Sequence, residues 1–194
     1  MEITCGNCNT SFVIPKNRIP DVNKFKLNCP KCREPIVIDK GSSPEPLVPP
    51  EHFPHNAVVA FIFVTNDSIL ATMKSDLESK NIYTSIAQHV TEAVEKIRIN
   101  YYDIIILEEG DFVKPILDII KTWNGIRRRE VNVIIVQTSG TSLQEQEAFL
   151  RGVNAVISRN DAGQISKFLA LAMDNYAHTI EPWKLSAQKI QHHI

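Results

Sequence analysis

From residue 57 onward, short apolar runs alternate with segments whose apolar residues recur at helical spacing. A continuous apolar run is typical of a strand covered on both faces, and spacing of three and four residues is typical of a helix with one buried side. Five strand–helix units predict an α/β domain, a five-stranded parallel doubly wound sheet between two layers of helices. The runs are AVVAFIFV at 57–64, IYTSIA at 82–87, DIIIL at 103–107, VNVIIVQ at 131–137 and NAVIS at 154–158.

Polar residues next to these runs predict where two of the helices begin. Asp67 or Ser68 stands before a segment with Ile69, Leu70, Met73 and Leu77 at helical spacing, so either could cap its first turn. Ser142 and Glu145 have the spacing of a capping box at the start of SLQEQEAFLRG. RRRE at 127–130 is a basic patch typical of a solvated loop.

The remaining parts of the chain predict the domain boundaries. DKGSSPEPLVPPEHFPHN at 39–56 contains five prolines and no periodic apolar pattern, which predicts a semi-stiff tether. The tail, which contains IEPWKLSAQKIQHHI, could form a short amphipathic helix. We therefore expect four parts: a small β-rich unit at 1–39, a linker at 40–56, the α/β domain at 57–178 and a tail at 179–194.

The four cysteines indicate a metal site in the first part. Cys5, Cys8, Cys29 and Cys32 form the pattern C-x2-C-x20-C-x2-C, close to the spacing of zinc ribbons. Two turns that each present two thiolates complete a tetrahedron and leave no open position, so one structural Zn²⁺ is expected. Two disulfides are disfavoured because no signal pattern indicates secretion. Iron in a rubredoxin-like site stays open as an alternative.

The same segment resembles a family of short bacterial zinc ribbons found at the N-termini of regulatory proteins. The resemblance covers roughly residues 2–39 and rests on ITCGNCNTSFVIP and KFKLNCPKCREPIVI, with an apolar strand after each cysteine pair. It implies zinc and an interaction role without naming the partner.

Charge and composition narrow the function classes. A net charge of −1 disfavours a chain built mainly to bind nucleic acid or an acidic membrane surface. The longest apolar run is far shorter than the roughly 20 residues of a membrane-spanning helix, so we expect a cytoplasmic protein without membrane insertion. No glycine-rich phosphate loop follows any strand, which disfavours a nucleotide or flavin site. With no cysteine outside the ribbon and no histidine beside a recognisable partner, we expect no enzyme activity.

The α/β domain resembles a response-regulator receiver domain over residues 57–178. In that family, an acidic pair after the first strand holds Mg²⁺, and an Asp at the end of the third strand accepts a phosphoryl group. FVTND places Thr65 and Asn66 at the acidic pair, with Asp67 just beyond. DIIILE places Glu108 at the phospho-acceptor.

The last two strands extend this resemblance. The fourth strand of a receiver ends in Thr or Ser, and the fifth ends in Lys-Pro with an aromatic switch residue three positions before the Lys. IIVQTS places Thr138 at the hydroxyl. AVISRN places Arg159 at the Lys, Asn160 at the Pro and Val156 at the aromatic switch.

The departures from the family pattern predict a degenerate site. A hard cation needs carboxylate oxygens, and Thr65 and Asn66 supply none. Glu108 carries one methylene more than Asp, which displaces its carboxylate from the in-line position. Arg159 can pair with Glu108 as a fork, and Thr138 is expected within reach of the same carboxylate. Together these changes predict a pseudo-receiver that is not phosphorylated.

Two function classes remain. The first is a non-enzymatic bacterial signalling adaptor, in which a zinc ribbon is joined to a pseudo-receiver that binds a protein partner. The alternative is a regulator whose ribbon binds DNA or RNA, for which the basic residues Lys16, Arg18, Lys24, Lys26, Lys31 and Arg33 are the reason. A third interpretation makes Glu108 and Glu109 solvated charges at the strand end of another flavodoxin-like fold.

Overall fold

The fold is that of a computed structural model, in which the chain forms two compact units, residues 1–47 and 48–194. Within the part of the chain that the structure describes, no helix combines the length and the apolar character that a bilayer span requires. The described residues are 2–4, 8, 10–13, 24–39 and 49–191.

The first unit contains two antiparallel hairpin-like pairs of strands. β1 (Glu2–Thr4) pairs with β2 (Ser11–Val13), and β3 (Lys24–Asn28) pairs with β4 (Pro35–Asp39). The turn between β3 and β4 is closed by two backbone bonds of 2.9 Å, from Cys29 N–H to the Glu34 carbonyl and from Arg33 N–H to the Cys29 carbonyl. This turn carries the second cysteine pair, as the spacing predicted.

The second unit is built on a five-stranded parallel sheet in the order β6-β5-β7-β8-β9. Because every neighbouring pair is parallel, all five strands end at the same edge of the sheet. The predicted α/β class and the small β-rich first unit are therefore confirmed. The strands are β5 (Val59–Phe63), β6 (Tyr83–Ile86), β7 (Ile104–Glu108), β8 (Asn132–Gln137) and β9 (Ala155–Ser158).

Helices cover both faces of this sheet. On one face α1 and α6 pack against the set that includes Ile62 and Ile106, and on the other face α2, α3 and α5 pack against the set that includes Phe61 and Ile105. Adjacent strand residues thus enter opposite cores, as the pleat requires. The helices are α1 (Asp67–Ser79), α2 (Val90–Ile99), α3 (Lys114–Lys121), α4 (Gly125–Arg129), α5 (Glu145–Arg151) and α6 (Ile165–Gln191), with 3-10 turns at Asp111–Val113 and Arg159–Gln164.

The helix starts differ from the predicted caps. Asn66, one residue before the expected Asp67 or Ser68, caps α1, since its Oδ1 accepts from Ile69 N–H at 3.0 Å. Ser142 does not cap α5, which begins at Glu145 after Gln144. Its hydroxyl instead donates to Asp161 at 2.6 Å and accepts from Ser158 N–H at 2.8 Å. Here a tertiary contact to the end of β9 replaces the local cap.

Two segments differ from their expected form: a predicted loop is helical, and the predicted tail is a continuation of α6 and not a separate short helix. The RRRE patch was predicted as a solvated loop, but it forms most of α4 because the Asn124 side chain accepts from Arg127 N–H at 2.9 Å. Arg128 then donates to the carbonyls of Val131 and Gly152 at 3.1 and 3.0 Å. The expected tail from residue 179 continues α6 without a break through Pro182.

The C-terminal part of the predicted linker is bound to the second unit. Glu51 N–H donates to the Asn100 side chain at 2.9 Å. The Glu51 carboxylate accepts from the hydroxyls of Ser85 and Tyr102 at 2.8 and 2.7 Å and pairs with Lys96 at 3.1 Å. Burial raises the pKa of Tyr102, which therefore stays a donor. Residues 40–48 lie outside the described residues.

Lys96 explains why this contact matters to the fold. It is only 8% exposed, and it also donates to the Ile86 carbonyl at 2.7 Å and pairs with Glu92 at 3.1 Å. A buried ammonium group that loses one of its carboxylates keeps the cost of its desolvation. Glu51 is therefore a structural residue of the domain, although its sequence context is that of a linker.

We expect Glu51→Ala to lower the free energy of unfolding of the second unit by about 2–3 kcal/mol, because it leaves Lys96, Ser85 and Tyr102 short of a partner. Urea unfolding followed by tryptophan fluorescence measures this, since both tryptophans, Trp123 and Trp183, belong to that unit.

Glu95→Ala is the matched control for this change. Its exposed pair with Arg98 predicts a loss below about 0.5 kcal/mol. Equal stability of the Glu51 and Glu95 variants would contradict the role assigned to Glu51.

Candidate functional site

The candidate site lies where the strands of the sheet end. Thr65 follows β5, Glu108 is the last residue of β7, and Arg159 follows β9. The carboxyl ends of parallel strands are where α/β domains place their functional groups. The structure brings these three side chains together, and Glu108 is buried at its strand end.

Glu108 is 2% exposed, and both of its carboxylate oxygens are engaged. One oxygen, Oε2, accepts from the backbone N–H of Thr65 at 2.5 Å and from the Thr65 hydroxyl. The other, Oε1, pairs with Nη2 of Arg159. A buried carboxylate needs this combination of an opposite charge and hydrogen-bond donors. The site is thus filled by side chains of the domain itself.

The ion pair with Arg159 is not the fork that was expected. The structure records the contact through Nη2 alone, and the Nε of Arg159 is buried without a hydrogen-bond partner. Two parallel bonds would have required Nε or the second Nη to face the same carboxylate. The Thr65 donors already occupy Oε2, and this leaves a single oxygen for the guanidinium.

The residues after β5 have other roles. Asn66 lends its side-chain oxygen to the start of α1, and Asp67 is the exposed first residue of that helix. In the described part of the chain, the cysteine group is the only set of three or more Cys, His or acidic residues close enough together to hold a metal. The arrangement around Glu108 is thus a buried carboxylate bound by Thr65 and Arg159.

Thr138 binds Glu109 and not Glu108, which differs from the expectation. The Glu109 carboxylate accepts from Thr138 N–H at 2.8 Å and from its hydroxyl at 2.7 Å. Arg151 pairs with the other Glu109 oxygen at 2.6 Å and with Glu147 at 2.7 Å. Successive residues at a strand end point to opposite faces, so the two glutamates serve different partners.

These bonds shift the ionisation of Glu109. The Thr138 backbone N–H, followed by its hydroxyl and Arg151, lowers the pKa of the Glu109 carboxyl. The sequence did not indicate Arg151 as part of this cluster. The spacing of Glu147 and Arg151, four residues apart at the end of a helix, was the available signal.

The two remaining positions of the predicted site have structural roles. Val156, at the aromatic switch position, is fully buried in the centre of β9. Asn160 donates its backbone N–H to the Ser158 hydroxyl at 3.3 Å and lies in the 3-10 turn after β9. Neither side chain makes a contact with Glu108 that the structure records.

In the first unit, three of the four predicted ligands lie together. The sulfur atoms of Cys8, Cys29 and Cys32 all lie within 4.8 Å of one another, and those of Cys8 and Cys29 are 3.6 Å apart. Tetrahedral Zn²⁺ with bonds of roughly 2.3 Å places its sulfur ligands roughly 3.8 Å apart, so the described donors fit zinc. Cys5, the fourth predicted ligand, lies outside the described residues.

The surroundings of these thiols favour the thiolate form that a metal binds. Hydrogen bonding to the Thr10 hydroxyl, and then to its backbone amide, lowers the pKa of Cys8 to about 6. The backbone amide of Cys32 lowers the pKa of Cys29, and Lys31 N–H donates to the Cys29 sulfur at 3.4 Å. The donor set and its hydrogen bonds support one structural zinc.

Comparisons with known proteins separate the two units. Residues 1–37 match a family model described as a zinc-ribbon domain. No curated protein matches this chain. Similar solved structures include response regulators and their receiver domains.

Three of them illustrate the extent of the likeness. The Francisella response regulator 1452 receiver domain is 19% identical, with 63% of this chain and 98% of that chain covered and a TM-score of 0.47. A receiver domain protein from Clostridium thermocellum is 17% identical and has a TM-score of 0.49, and the match covers 65% of this chain and 98% of that protein. NtrX from Brucella abortus is 17% identical and has a TM-score of 0.50, and the match covers 66% of this chain and 29% of NtrX.

At these identities the likeness is one of fold, and it agrees with the strand order of the second unit. The chain therefore carries a zinc-ribbon segment at residues 1–37, followed by a domain with the fold of response-regulator receivers.

Proposed function

We propose that this protein is a non-enzymatic signalling adaptor whose receiver-fold domain cannot be phosphorylated and serves to bind a protein partner. The observation that carries the proposal is the state of Glu108: it is buried, and both oxygens are bound to Thr65 and Arg159. A site that is filled by its own side chains has no free nucleophile.

The chemistry of phosphoryl transfer supports this proposal. Transfer to a carboxylate requires an oxygen in line with the phosphorus atom and a divalent cation that neutralises the developing charge. Glu108 offers no unengaged oxygen, Thr65 donates to Glu108, and Asn66 is used by the α1 cap. The arginine stands where a phosphoryl group would need to enter.

The second glutamate supports a single fixed conformation. Glu109 holds both donors of Thr138, and Arg151 links Glu109 to α5 through its further pair with Glu147. A ligand shifts a conformational equilibrium only if it binds one state better than the other. With Thr138 already bound, we infer that phosphodonors find no second state to select.

The ribbon completes the proposal as a structural module in a cytoplasmic protein. Four thiolates would saturate the zinc, so Cys8, Cys29 and Cys32, with Cys5 as the predicted fourth ligand, would hold an ion that cross-links the turns and does no catalysis. The alternative, a ribbon that binds DNA or RNA, stays a prediction; among its basic residues Lys16 and Arg18 lie outside the described residues.

We expect one zinc ion per chain. Cys29→Ser should lose this zinc and, with it, the dispersed amide signals of β3 and β4, because metal binding and folding are coupled in modules with so small a core. Metal analysis and amide NMR measure both effects. Lys31→Ala is the control: it keeps the backbone N–H that bonds Cys29, so zinc should be retained. Wild-type protein purified under reducing conditions without bound metal would contradict this expectation.

We expect the wild-type chain to form no phosphoryl adduct with acetyl phosphate and Mg²⁺. We also expect its amide chemical shifts to stay unchanged when beryllofluoride is added. Glu108→Asp alone should not restore phosphorylation, because Thr65 and Asn66 still provide no carboxylate for the cation. Mass spectrometry detects the adduct, and an amide titration detects Mg²⁺.

The positive control is a phosphorylatable receiver domain in the same reaction, whose adduct shows that acetyl phosphate is an active phosphodonor. A stable adduct on the wild-type chain, or Mg²⁺-dependent shifts clustered at residues 65–67 and 108, would overturn the pseudo-receiver proposal.

The lowered pKa of Glu109 predicts a pH dependence at Thr138. A depressed carboxyl pKa means that the bonds persist above the ordinary glutamate value of about 4.3 and are lost as the pH falls through the folded value below it. The Thr138 amide shift should therefore stay constant from neutral pH to about 4.3 and move only at lower pH, as measured by NMR.

Two variants test the assignment to Glu109. Glu109→Gln should displace the Thr138 amide signal at neutral pH, whereas Glu147→Gln should leave it in place, because Glu147 contacts Arg151 but not Thr138. A Thr138 signal that titrates near the ordinary glutamate value in the wild type would disprove the lowered pKa.

A further inference from the structure

A group of exposed aromatic, apolar and basic side chains lies at the end of the domain opposite to Glu108. This Arg127 surface consists of Tyr101, Trp123, Ile126, Arg127 and Arg129. It is formed by the segments that lead into β7 and β8, whereas Glu108 is at the end of β7. Tyr101 is 81% exposed and Ile126 is 60% exposed, so neither contributes to the core.

Arg127 is held between two aromatic rings. Its guanidinium carbon lies 4.1 Å from the centre of the Trp123 ring and 4.9 Å from the centre of the Tyr101 ring. Trp123 also packs against the core, and Asn124 bonds the backbone of Arg127, so the stack rests on a fixed base. Cation–π contacts of this kind hold an arginine in one orientation and reduce the entropy lost when it binds a ligand.

The polar atoms of this stacked arginine are not used within the domain. Its Nε is buried without a hydrogen-bond partner, and within the described residues no ion pair involves Arg127 or Arg129. Arg128, between them, instead donates to Val131, Gly152 and Asn154. Arg127 is therefore held in one orientation by the two rings and has no carboxylate partner among the described residues.

A small cavity adjoins the same surface. It has a volume of about 120 Å³. Its lining consists of Leu117, Ile120, Lys121, Trp123, Arg128, Gly152 and Arg151, the last of which also binds Glu109. An apolar side chain that enters a pocket next to tryptophan and arginine is typical of the residues that dominate binding energy at protein interfaces. The surface thus offers both an apolar pocket and an oriented positive charge.

We propose that the Arg127 surface binds an acidic segment of a partner protein in which carboxylates alternate with apolar side chains. A carboxylate would pair with the stacked guanidinium of Arg127, with Arg129 beside it, and a neighbouring apolar side chain would cover Tyr101 and Ile126. The proposal goes beyond the adaptor function, because this surface is remote from Glu108 and does not depend on phosphorylation.

Charge decides between a peptide and a nucleic acid as the ligand. Nucleic acids bind through many phosphate contacts, and only Arg127 and Arg129 are available on this surface. Residues 57–178 carry twelve Lys and Arg against fifteen Asp and Glu, so binding of any anionic ligand must depend on local contacts at the Arg127 surface and not on the charge of the whole domain. Two arginines beside exposed aromatic and apolar groups fit a short acidic and apolar peptide.

Fluorescence anisotropy with three labelled peptides tests the proposal on the full zinc-loaded chain. The probes alternate Glu with Phe, Glu with Ala, and Lys with Phe. We expect the Glu–Phe peptide to bind most tightly, the Glu–Ala peptide more weakly, and the Lys–Phe peptide not at all. Failure of the Glu–Phe peptide to bind at about 1 mM, the weak limit of specific association, would overturn the proposal.

Variants locate the binding to this surface. Arg127→Glu and Tyr101→Ala should each raise the dissociation constant for the Glu–Phe peptide about tenfold or more. Tyr101 is almost fully exposed, so its substitution tests the surface even if Arg127→Glu perturbs folding. Lys74→Glu is the control with the same change of charge on α1, which covers the other face of the sheet, and it should change the constant less than about twofold.

Two other outcomes would also overturn the proposal. An equal loss of affinity in Lys74→Glu would show binding that depends on charge alone. A uridine oligomer that binds the wild-type chain and displaces the peptide, with the same dependence on Arg127, would identify a nucleic-acid surface instead.

Discussion

The buried carboxylate of Glu108 constrains the whole edge of the sheet at which the strands end. A charge that is 2% exposed requires partners, and Thr65 and Arg159 provide them from two other strands. Because β8 lies between β7 and β9, the Arg159 side chain must cross the end of β8 to reach Glu108. This contact needs a long cationic side chain, and with the Thr65 bonds it links the ends of β5, β7 and β9.

The neighbouring glutamate determines what the rest of this edge does. Glu109 faces the side opposite to Glu108 and collects Thr138 and Arg151, which fixes the segment after β8 and the end of α5. In a receiver-like fold, this segment is where movement of a hydroxyl group would accompany phosphorylation. In this protein Glu108 binds Thr65 and Arg159, whereas Glu109 binds Thr138, and this separation is the physical basis on which we propose a domain with one conformation.

Two other charged clusters of the domain use charge differently. Glu51 and Lys96 form a largely buried network that stabilises the fold, whereas Arg127 is stacked on two rings with its Nε unpaired. The Glu51 carboxylate in the first network has three donors, Ser85, Tyr102 and Lys96. The Arg127 guanidinium has no carboxylate partner within the described residues. The domain therefore satisfies its charges where they stabilise it and leaves one oriented cation at a surface.

Local patterns in the sequence determined the elements and their chemistry. Apolar runs that alternate with helical spacing predicted the parallel sheet, because strand and helix periodicity are local properties of the chain. The cysteine spacing predicted the metal site for the same reason. The pairing of Glu108 with Arg159 was expected from the resemblance to receiver domains, which assigns both residues to strand ends of the same site.

The tertiary structure alone decided which partner each side chain takes. Thr138 bonds Glu109 and not Glu108, Ser142 bonds the end of β9 and not the start of α5, and Glu51 is part of the domain and not of a linker. Each of these choices depends on the direction of a side chain at the end of a strand or in a connection, where no periodic pattern exists. The competing acceptors lie far apart in sequence, so only the packed chain brings them within hydrogen-bond distance.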